Sequence, residues 1–414
     1  MASEQLEVPA QQLVPPVRRP RRAATPLMVV SACVAAVQMS WSLVVPVLPD
    51  YAKQFGLGPA QLGVVVGIFG VGRLLVNIPA GLLSQRVDRR WLMLLSTLAV
   101  VVGQGLTGLA TGWHSLLAAR LLTGLAGGVA ITSGMALLAD LTTGESRGRD
   151  MATLQGFQLA GGALGPVVGG FLAAALGSRA PFLLSGIPAI AVVVWGRQVL
   201  SRVHPMAHEP APEHAGRAAW FNRDVLGVCL LGFSVFFHRF GGLQALVPLI
   251  AYGAAVHLGV SQLGLLLGAI TLCNILMVRW VGGLSDRVGR KRVIVPAMAV
   301  VAAGSAALAL SGSVWIFVAA TLITGVAAGF SGPTPAAYLV DVTPSYARGT
   351  VTGVYRTFGD LGGIAGPLLL GVLAESLGFS WAAIALALVV ALPTVAFWAL
   401  CRESTGPRRV VARG

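Results

Sequence analysis

The chain repeats itself at an offset of 201 residues. LGPAQLG at Leu57–Gly63 returns as LGVSQLG at Leu258–Gly264, and GLLSQRVDRR at Gly81–Arg90 returns as GGLSDRVGRK at Gly282–Lys291. GALGPVVGG at Gly162–Gly170 returns as GIAGPLLLG at Gly363–Gly371, while Asp140 and Arg147-Gly148 are echoed by Asp341 and Arg348-Gly349. No gap is needed over about 115 residues. So long a period does not describe a stacked solenoid; it divides the chain into two related halves.

Composition decides the solvent of those halves. Of the 414 residues, 56% are hydrophobic and 11% are charged, against about 25% charged in soluble domains. Too few charges remain to cover a water-facing surface, so lipid is the expected surroundings. Two related helix bundles in a bilayer are the architecture of many secondary transporters. A net charge of +14 would suit nucleic acid, but the basic residues sit in short loops between apolar runs, so nucleic acid is not expected as a partner. Cys33, Cys229, Cys273 and Cys401 lie in or beside apolar runs, without disulfide or metal-ligand spacing, and read as small hydrophobes.

A membrane-spanning helix needs about 20 apolar residues. The sequence offers twelve, near 26–49, 60–83, 91–111, 115–139, 150–176, 180–200, 224–251, 261–284, 292–312, 315–340, 350–374 and 379–400. The expected fold is an all-α membrane protein with twelve transmembrane helices, in two six-helix bundles related by a parallel pseudo-twofold repeat. Residues 1–25 read as a Pro- and Arg-rich cytoplasmic tail without a packed core, 26–200 as the N-terminal bundle, 201–223 as a polar linker, 224–400 as the C-terminal bundle and 401–414 as a second tail. The first apolar run is too long for a cleaved leader. With the N-terminus inside, inner segments hold 22 of the 29 Lys and Arg, and outer loops hold two, Lys53 and Arg179. That bias puts both termini in the cytoplasm. Basic residues other than Lys53 and Lys291 are all Arg, as in GC-rich bacterial genomes, and the expected location is a bacterial inner membrane.

The repeated motifs carry a family resemblance over the whole chain outside the tails. GGLSDRVGRK, between the eighth and ninth spans, is similar to the GxxxDRxGRK signature of the major facilitator superfamily; the copy between the second and third spans has Gln85 for the acid and Asp88 for the second Gly. Arg120, Gly124 and Gly127 resemble the RxxxGxxG motif of proton-coupled members. Gly161, Gly165, Pro166, Gly169 and Gly170 resemble the GxxxGPxxGG motif of the twelve-span drug:proton antiporters. The resemblance implies a cytoplasmic latch of Asp286, Arg290 and Asp341 against span 5, holding an outward-open state. It implies a weaker counterpart of Gln85, Arg89 and Asp140 against span 11. Span 5 would be a hinge face, with close backbone packing as the plainer role of its glycines.

Five arginines (Arg73, Arg120, Arg239, Arg279 and Arg356) and one well-immersed acid, Asp360, lie inside spans. A lipid-facing charge near the bilayer centre costs at least about 2.5–3.5 kcal/mol, so such charges are expected to face a cavity or a partner. Arg279, near a span end, reads as a snorkelling side chain. Arg356 is one helical turn before Asp360 and is expected to pair with it. Arg73, Arg239, Arg356 and Asp360 are expected to converge where the halves meet. Asp360 is the candidate protonation switch, with His238 the rival titrating group and Arg120 a third coupling candidate; a static ion-pair cluster is the alternative. Gln38, Trp41, Arg73, Phe157, Phe236, Phe237, Arg239, Tyr355 and Arg356 are the candidate cavity lining. Five deep arginines against one acid favour neutral or anionic amphipathic substrates over strong cations.

The resulting expectation is a proton-coupled exporter of drugs or amphipathic natural products. The alternatives are a proton symporter importing an organic anion, or a non-transporting sensor or scaffold with the same fold. No ATP-binding loop, nucleophile–base constellation or metal-ligand set is present in the sequence, so neither an enzyme nor a cofactor is expected. The expected partners are a small-molecule substrate, protons and lipid, with the protein acting as a monomer.

Overall fold

The computed structural model describes residues 21–142, 147–201, 222–253, 255–332, 334–344 and 347–404. The proposed tail to residue 20, most of the linker (202–221) and the last ten residues lie outside the described residues. Among the described residues, twelve helical segments are long and apolar enough to cross a membrane. Their principal helices are α1 (Arg21–Ser42), α2 (Pro59–Arg86), α3 (Arg89–Gly108), α4 (Trp113–Asp140), α5 (Arg147–Leu176) and α6 (Gly186–Leu200) in the first half. The second half holds α7 (Arg223–Phe236), α8 (Val260–Val288), α9 (Arg290–Ala307), α10 (Val314–Ser331), α11 (Arg348–Ser376) and α12 (Phe379–Leu400). The fold is the twelve-helix, two-bundle architecture that the repeat implies.

Several spans are broken where a continuous helix was expected. α1 stops at Ser42, and a turn leads to a short helix at Leu48–Lys53. α6 is preceded by Ala180–Leu184, and α10 is followed by Thr334–Val342. In each case the break falls four residues before a proline (Pro46, Pro188 and Pro335). A proline removes one backbone donor, and its ring crowds the carbonyl four residues back. α7 passes into a ten-residue π-helical segment, Phe237–Leu246, before Val247–Ala251 completes the crossing. Pro248 lies two residues beyond the end of that segment.

The halves meet along two helix pairs, α2 with α11 and α5 with α8. Both pairs use the same contact, exchanged by the repeat. A Cβ on Gly63 would collide with the carbonyl oxygen of Pro367, and a Cβ on Gly264 with that of Pro166. Inside each half, α1 packs on α5 and α7 on α11. Outward faces are apolar, and Trp280 and Trp315 are each 82% exposed, as lipid-facing side chains would be.

The two ends of the molecule differ. At the end opposite the Arg-rich turns, Tyr252 Oη donates to the Pro46 carbonyl at 2.6 Å, and the Ala60 amide donates to Glu375 Oε2 at 2.9 Å. Lys53 Nζ lies over the Tyr252 ring at 5.4 Å. These contacts tie one half to the other. Toward the basic end, Gly156 of α5, Gly282 and Gly283 of α8, and Gly353 of α11 each face open space within 4 Å. The halves therefore close together at the far end and diverge toward the basic end.

Candidate substrate cavity and ion-pair site

A cavity of about 670 Å³, including its open mouth, lies between the halves and is lined from α1, α2, α3, α4, α5 and α7. Trp41, Phe69 and Phe240, all buried, form its apolar wall with Phe236. Trp41 stacks on Phe69 with centroids 3.7 Å apart, and Phe240 of the other half approaches Trp41 at 5.6 Å. Its polar lining includes Gln38, Thr123, Gln158, Arg73 and Arg239. Gln158 Nε2 donates to Gln38 Oε1 at 3.5 Å.

Asp360 is buried, at 9% exposure. Asn77 Nδ2 donates to its Oδ2 at 2.7 Å, and Arg73 Nη2 lies 3.7 Å from Oδ1. This pairing joins α2 of one half to α11 of the other. The expected Arg356–Asp360 pair is not formed. Arg356 instead donates from Nη2 toward Met135 Sδ at 3.8 Å and is exposed. Helical side chains lean toward the N-terminus, so Arg356 extends away from an acid that lies after it in the chain. Arg73 brings its charge to the cavity as well as to Asp360, and its buried Nε has no hydrogen-bond partner. Arg239 also lines the cavity and forms no ion pair among the described residues. Arg73, Asp360 and Arg239 thus gather as expected, and Arg356 stands apart.

Of the nine candidate lining residues, Gln38, Trp41, Arg73, Phe236 and Arg239 line the cavity, and Phe157, Phe237, Tyr355 and Arg356 do not. Phe237 and Tyr355 are buried in the core of the second half. His238 is also buried, and its Nε2 is unpartnered. Within the π segment His238 is buried while its neighbours Arg239 and Phe240 reach the cavity. Arg120 is 1% exposed and sits behind the aromatic wall, its guanidinium 5.3 Å from the Trp41 ring and 5.4 Å from the Phe69 ring. It shares a smaller pocket with Gln244 of the other half. Sequence reasoning did not single out Phe69, Asn77, Phe240 or Gln158. The signal for two of them was present: Phe69, Arg73 and Asn77 recur every four residues, on one helix face.

At the basic end, the repeat builds matching ion-pair clusters. Arg290 Nε bonds Asp341 Oδ2 at 2.9 Å, and its Nη1 bonds Asp286 Oδ1 at 2.7 Å. Arg89 Nη1 lies 2.5 and 2.6 Å from the two Asp140 oxygens, and its Nε donates to the Ser84 carbonyl at 3.0 Å. The Gln85 side chain, like that of Arg279, lies outside the described residues. Arg290 divides itself between two acids, whereas Arg89 places one nitrogen on both oxygens of Asp140. The Asp286 side chain is 62% exposed, so it is open to solvent while bonded to Arg290. The correspondence extends further: Arg90 Nη1 donates to the Leu200 carbonyl at 3.1 Å, and Lys291 Nζ to the Cys401 carbonyl at 2.7 Å. Asp88 caps α3 through the Arg90 amide and is ion-paired with the Arg90 guanidinium, which holds its carboxyl below the usual range.

The span 5 motif packs in two directions. A Cβ on Gly161 would meet the Ala35 carbonyl, and one on Gly165 or Gly169 would strike Ser42 or Leu43, so this face seats α5 on α1. Pro166 and Gly170 instead face α8 across the half-interface, against Gly264 and Val260. The motif joins an intra-half seam to an inter-half seam.

A family model described as Major Facilitator Superfamily matches residues 30–254 and 228–413. The multi-drug resistance efflux pump PmrA of Streptococcus pneumoniae is 25% identical over 362 residues, covering 82% of this chain and 87% of the pump. The class C tetracycline resistance protein of Escherichia coli is 25% identical over 384 residues, covering 91% and 96% of the two chains. Among solved structures, a bacterial homologue of the human lysosomal transporter Spinster, inward-facing and occupied, superposes with a TM-score of 0.80 at 14% identity, covering 92% of this chain and 97% of that one. The doubled family match extends over nearly the whole chain, as the 201-residue repeat requires, and the chain belongs to the Major Facilitator Superfamily.

Proposed function

We propose that this transporter exports amphipathic, neutral or anionic compounds in exchange for protons by alternating access, as a monomer in a bacterial inner membrane with its basic end in the cytoplasm. The observation that carries the reading is the cavity between the halves, in which an aromatic wall meets Arg73 and Arg239, with Arg73 reaching on to the deep acid Asp360 of the other half. The efflux relatives support the direction of transport. With the basic end inside, the geometry is an inward-open state, which agrees with the solvent-exposed Asp286: the span 8–9 latch is released when the cytoplasmic ends part.

In this reading Asp360 takes up and releases the coupling proton, with Asn77 and Arg73 as its partners across the half-interface. The aromatic wall supplies contact area without demanding a fixed shape. Arg120 stabilises that wall from behind. The test is transport of a compound panel in proteoliposomes under an imposed pH gradient, with wild type and Asp360→Asn side by side. Proton-driven transport should be lost in Asp360→Asn while counterflow persists; wild-type pH dependence in the variant sinks the assignment. Import of an organic anion with a proton is a second reading, favoured by the surplus of arginine in the cavity.

A further inference from the structure

Arg120 carries a buried charge that no acid answers. It is 1% exposed, and its Nε and Nη1 have no hydrogen-bond partner. None of the ion pairs among the described residues includes it. The Trp41 and Phe69 rings attract the guanidinium but offer its N–H groups no lone pair. A guanidinium keeps its proton at every working pH, so burial is not relieved by neutralisation. A charge buried in this way needs a counter-charge or firm hydrogen bonds.

Across the half-interface, Gln244 of the π segment lines the same small pocket, and its buried Oε1 also lacks a partner. The pocket measures about 200 Å³ including its open side, and Trp41, Val44, Val45, Leu48 and Val66 complete the lining. We propose that it holds one chloride ion, bound by Arg120 of the first half and Gln244 of the second, which fastens the halves together at the far end.

Three features select a halide. A water molecule would leave the Arg120 charge unanswered, and a cation would be repelled by it. Organic ligands occupy cavities of about 300–1,000 Å³, so this space suits an ion of very few atoms. Phosphate and sulfate present several oxygens that each need a donor, whereas the rest of this lining is mostly aliphatic. Turning the Gln244 amide over presents its NH2 donors to the pocket and removes the unpartnered acceptor from it. The site lies behind the aromatic wall, apart from Arg73 and Arg239 on the cavity side. It has no second copy: at the 201-residue offset, Thr321 answers Arg120 and Leu43 answers Gln244.

Arg120 and Gln244 belong to halves that part at this end when the far end opens. Parting them strips one side from the ion, so chloride binds the far-end-closed state more tightly and draws the protein toward it. The binding site does not depend on the proton assignment to Asp360; its effect on the two states rests on alternating access.

Calorimetric titration of the purified full-length protein, held in gluconate at constant ionic strength, measures chloride and bromide binding. Each should bind with a stoichiometry of one. Gln244→Leu keeps the bulk and removes the amide, and should weaken chloride by about 10–150-fold, the worth of one hydrogen bond to a charged group. Arg120→Met should abolish binding; if that variant fails to fold, Gln244→Leu decides alone. Absence of chloride binding by wild type overturns the site, as does unchanged binding by Gln244→Leu. Binding lost in Arg239→Gln but kept in Gln244→Leu places the ion in the central cavity and also overturns it. Ala245 of the π segment is buried against Val44 and Val66 of the first half. Ala245→Cys in a cysteine-free background therefore reports far-end opening through its alkylation rate. At a chloride concentration tenfold above the dissociation constant, alkylation should slow by about tenfold. Chloride binding that leaves alkylation unchanged overturns the fastening of the halves.

Discussion

At the scale of single residues, the buried charges survive because each has a specific answer to desolvation. Arg120 is fully buried with Nε and Nη1 unpartnered, yet two aromatic faces lie within 5.4 Å of its guanidinium. Desolvated cation–π contacts are worth about 2 kcal/mol, which offsets part of the missing hydrogen bonds. Asp88, which is only half-buried, is held differently, as a helix cap with its own arginine. Because Arg90 lowers its carboxyl below the ordinary carboxylate range, the charged form stabilises the fold above that range. The contribution is lost only as pH falls through the depressed folded-state value. Asp88→Ala should therefore cost about 1 kcal/mol at neutral pH, and less at pH values where wild-type Asp88 is itself protonated. Chemical unfolding in detergent at several pH values checks this; a variant penalty that grows as pH falls contradicts it. Asp360 shows where reading residues from sequence stopped. Its depth and its role as the lone deep acid were legible, but its partners were not. Spacing named Arg356, whereas side-chain direction within the helix and the approach of α2 delivered Arg73 and Asn77.

At the scale of elements, glycine decides which helices meet. The glycines of α5 fall on two seams with different tasks, so their substitution should have different effects. Gly165→Leu drives a large side chain into Ser42 and Leu43 and should cost about 1–3 kcal/mol of stability within the first half. Gly156→Ala faces open space in the diverging part of the same helix and should be neutral, or stabilising by up to about 1 kcal/mol. Thermal unfolding of the two variants separates a packing seam from an open face; equal effects would contradict the divergence of the halves at the basic end. The spans themselves were readable because the bilayer fixes their length and the repeat fixes their number. The breaks at Ser42, Leu184 and Ser331 were readable in principle from Pro46, Pro188 and Pro335. The π segment was not. Nothing in FHRFGGLQAL distinguishes a wider helix from an ordinary one, because the choice is made by what packs around it. That segment also has His238 buried while Arg239 and Phe240 reach the cavity, which sequence spacing could not settle.

At the scale of the whole molecule, the repeat supplies two equivalent seams, and a few unmatched contacts choose between the states they allow. The seam contacts come in exchanged pairs, Gly63 with Pro367 and Gly264 with Pro166, so they favour neither half. The far-end seal is different. Tyr252 to Pro46 and Ala60 to Glu375 each cross between the halves, and no hydrogen bond among the described residues repeats either one at the 201-residue offset. The Tyr252 bond is neutral and contributes about 1 kcal/mol net, or roughly fivefold in a two-state population. Glu375→Gln keeps an acceptor for the Ala60 amide and removes only the charge that strengthens that bond. Tyr252→Phe should therefore shift the balance toward a far-end-open state by about fivefold, and Tyr252→Phe with Glu375→Gln by about 10–30-fold. Neither change touches the cavity that binds the ligand. A single reporter thiol at Val45, introduced into a cysteine-free background, measures the shift. Val45 is buried in the closed arrangement and lines the small pocket beside Arg120 and Gln244. Its alkylation by a membrane-impermeant reagent should accelerate by those factors, while intrinsic thiol reactivity in unfolded protein stays constant. Unchanged alkylation in the double variant would mean that the aromatic wall of Trp41, Phe69 and Phe240, and not the polar contacts above it, holds the far end shut. In that case Phe240→Ala, which removes the aromatic contact between the halves, should open the far end where the polar variants do not.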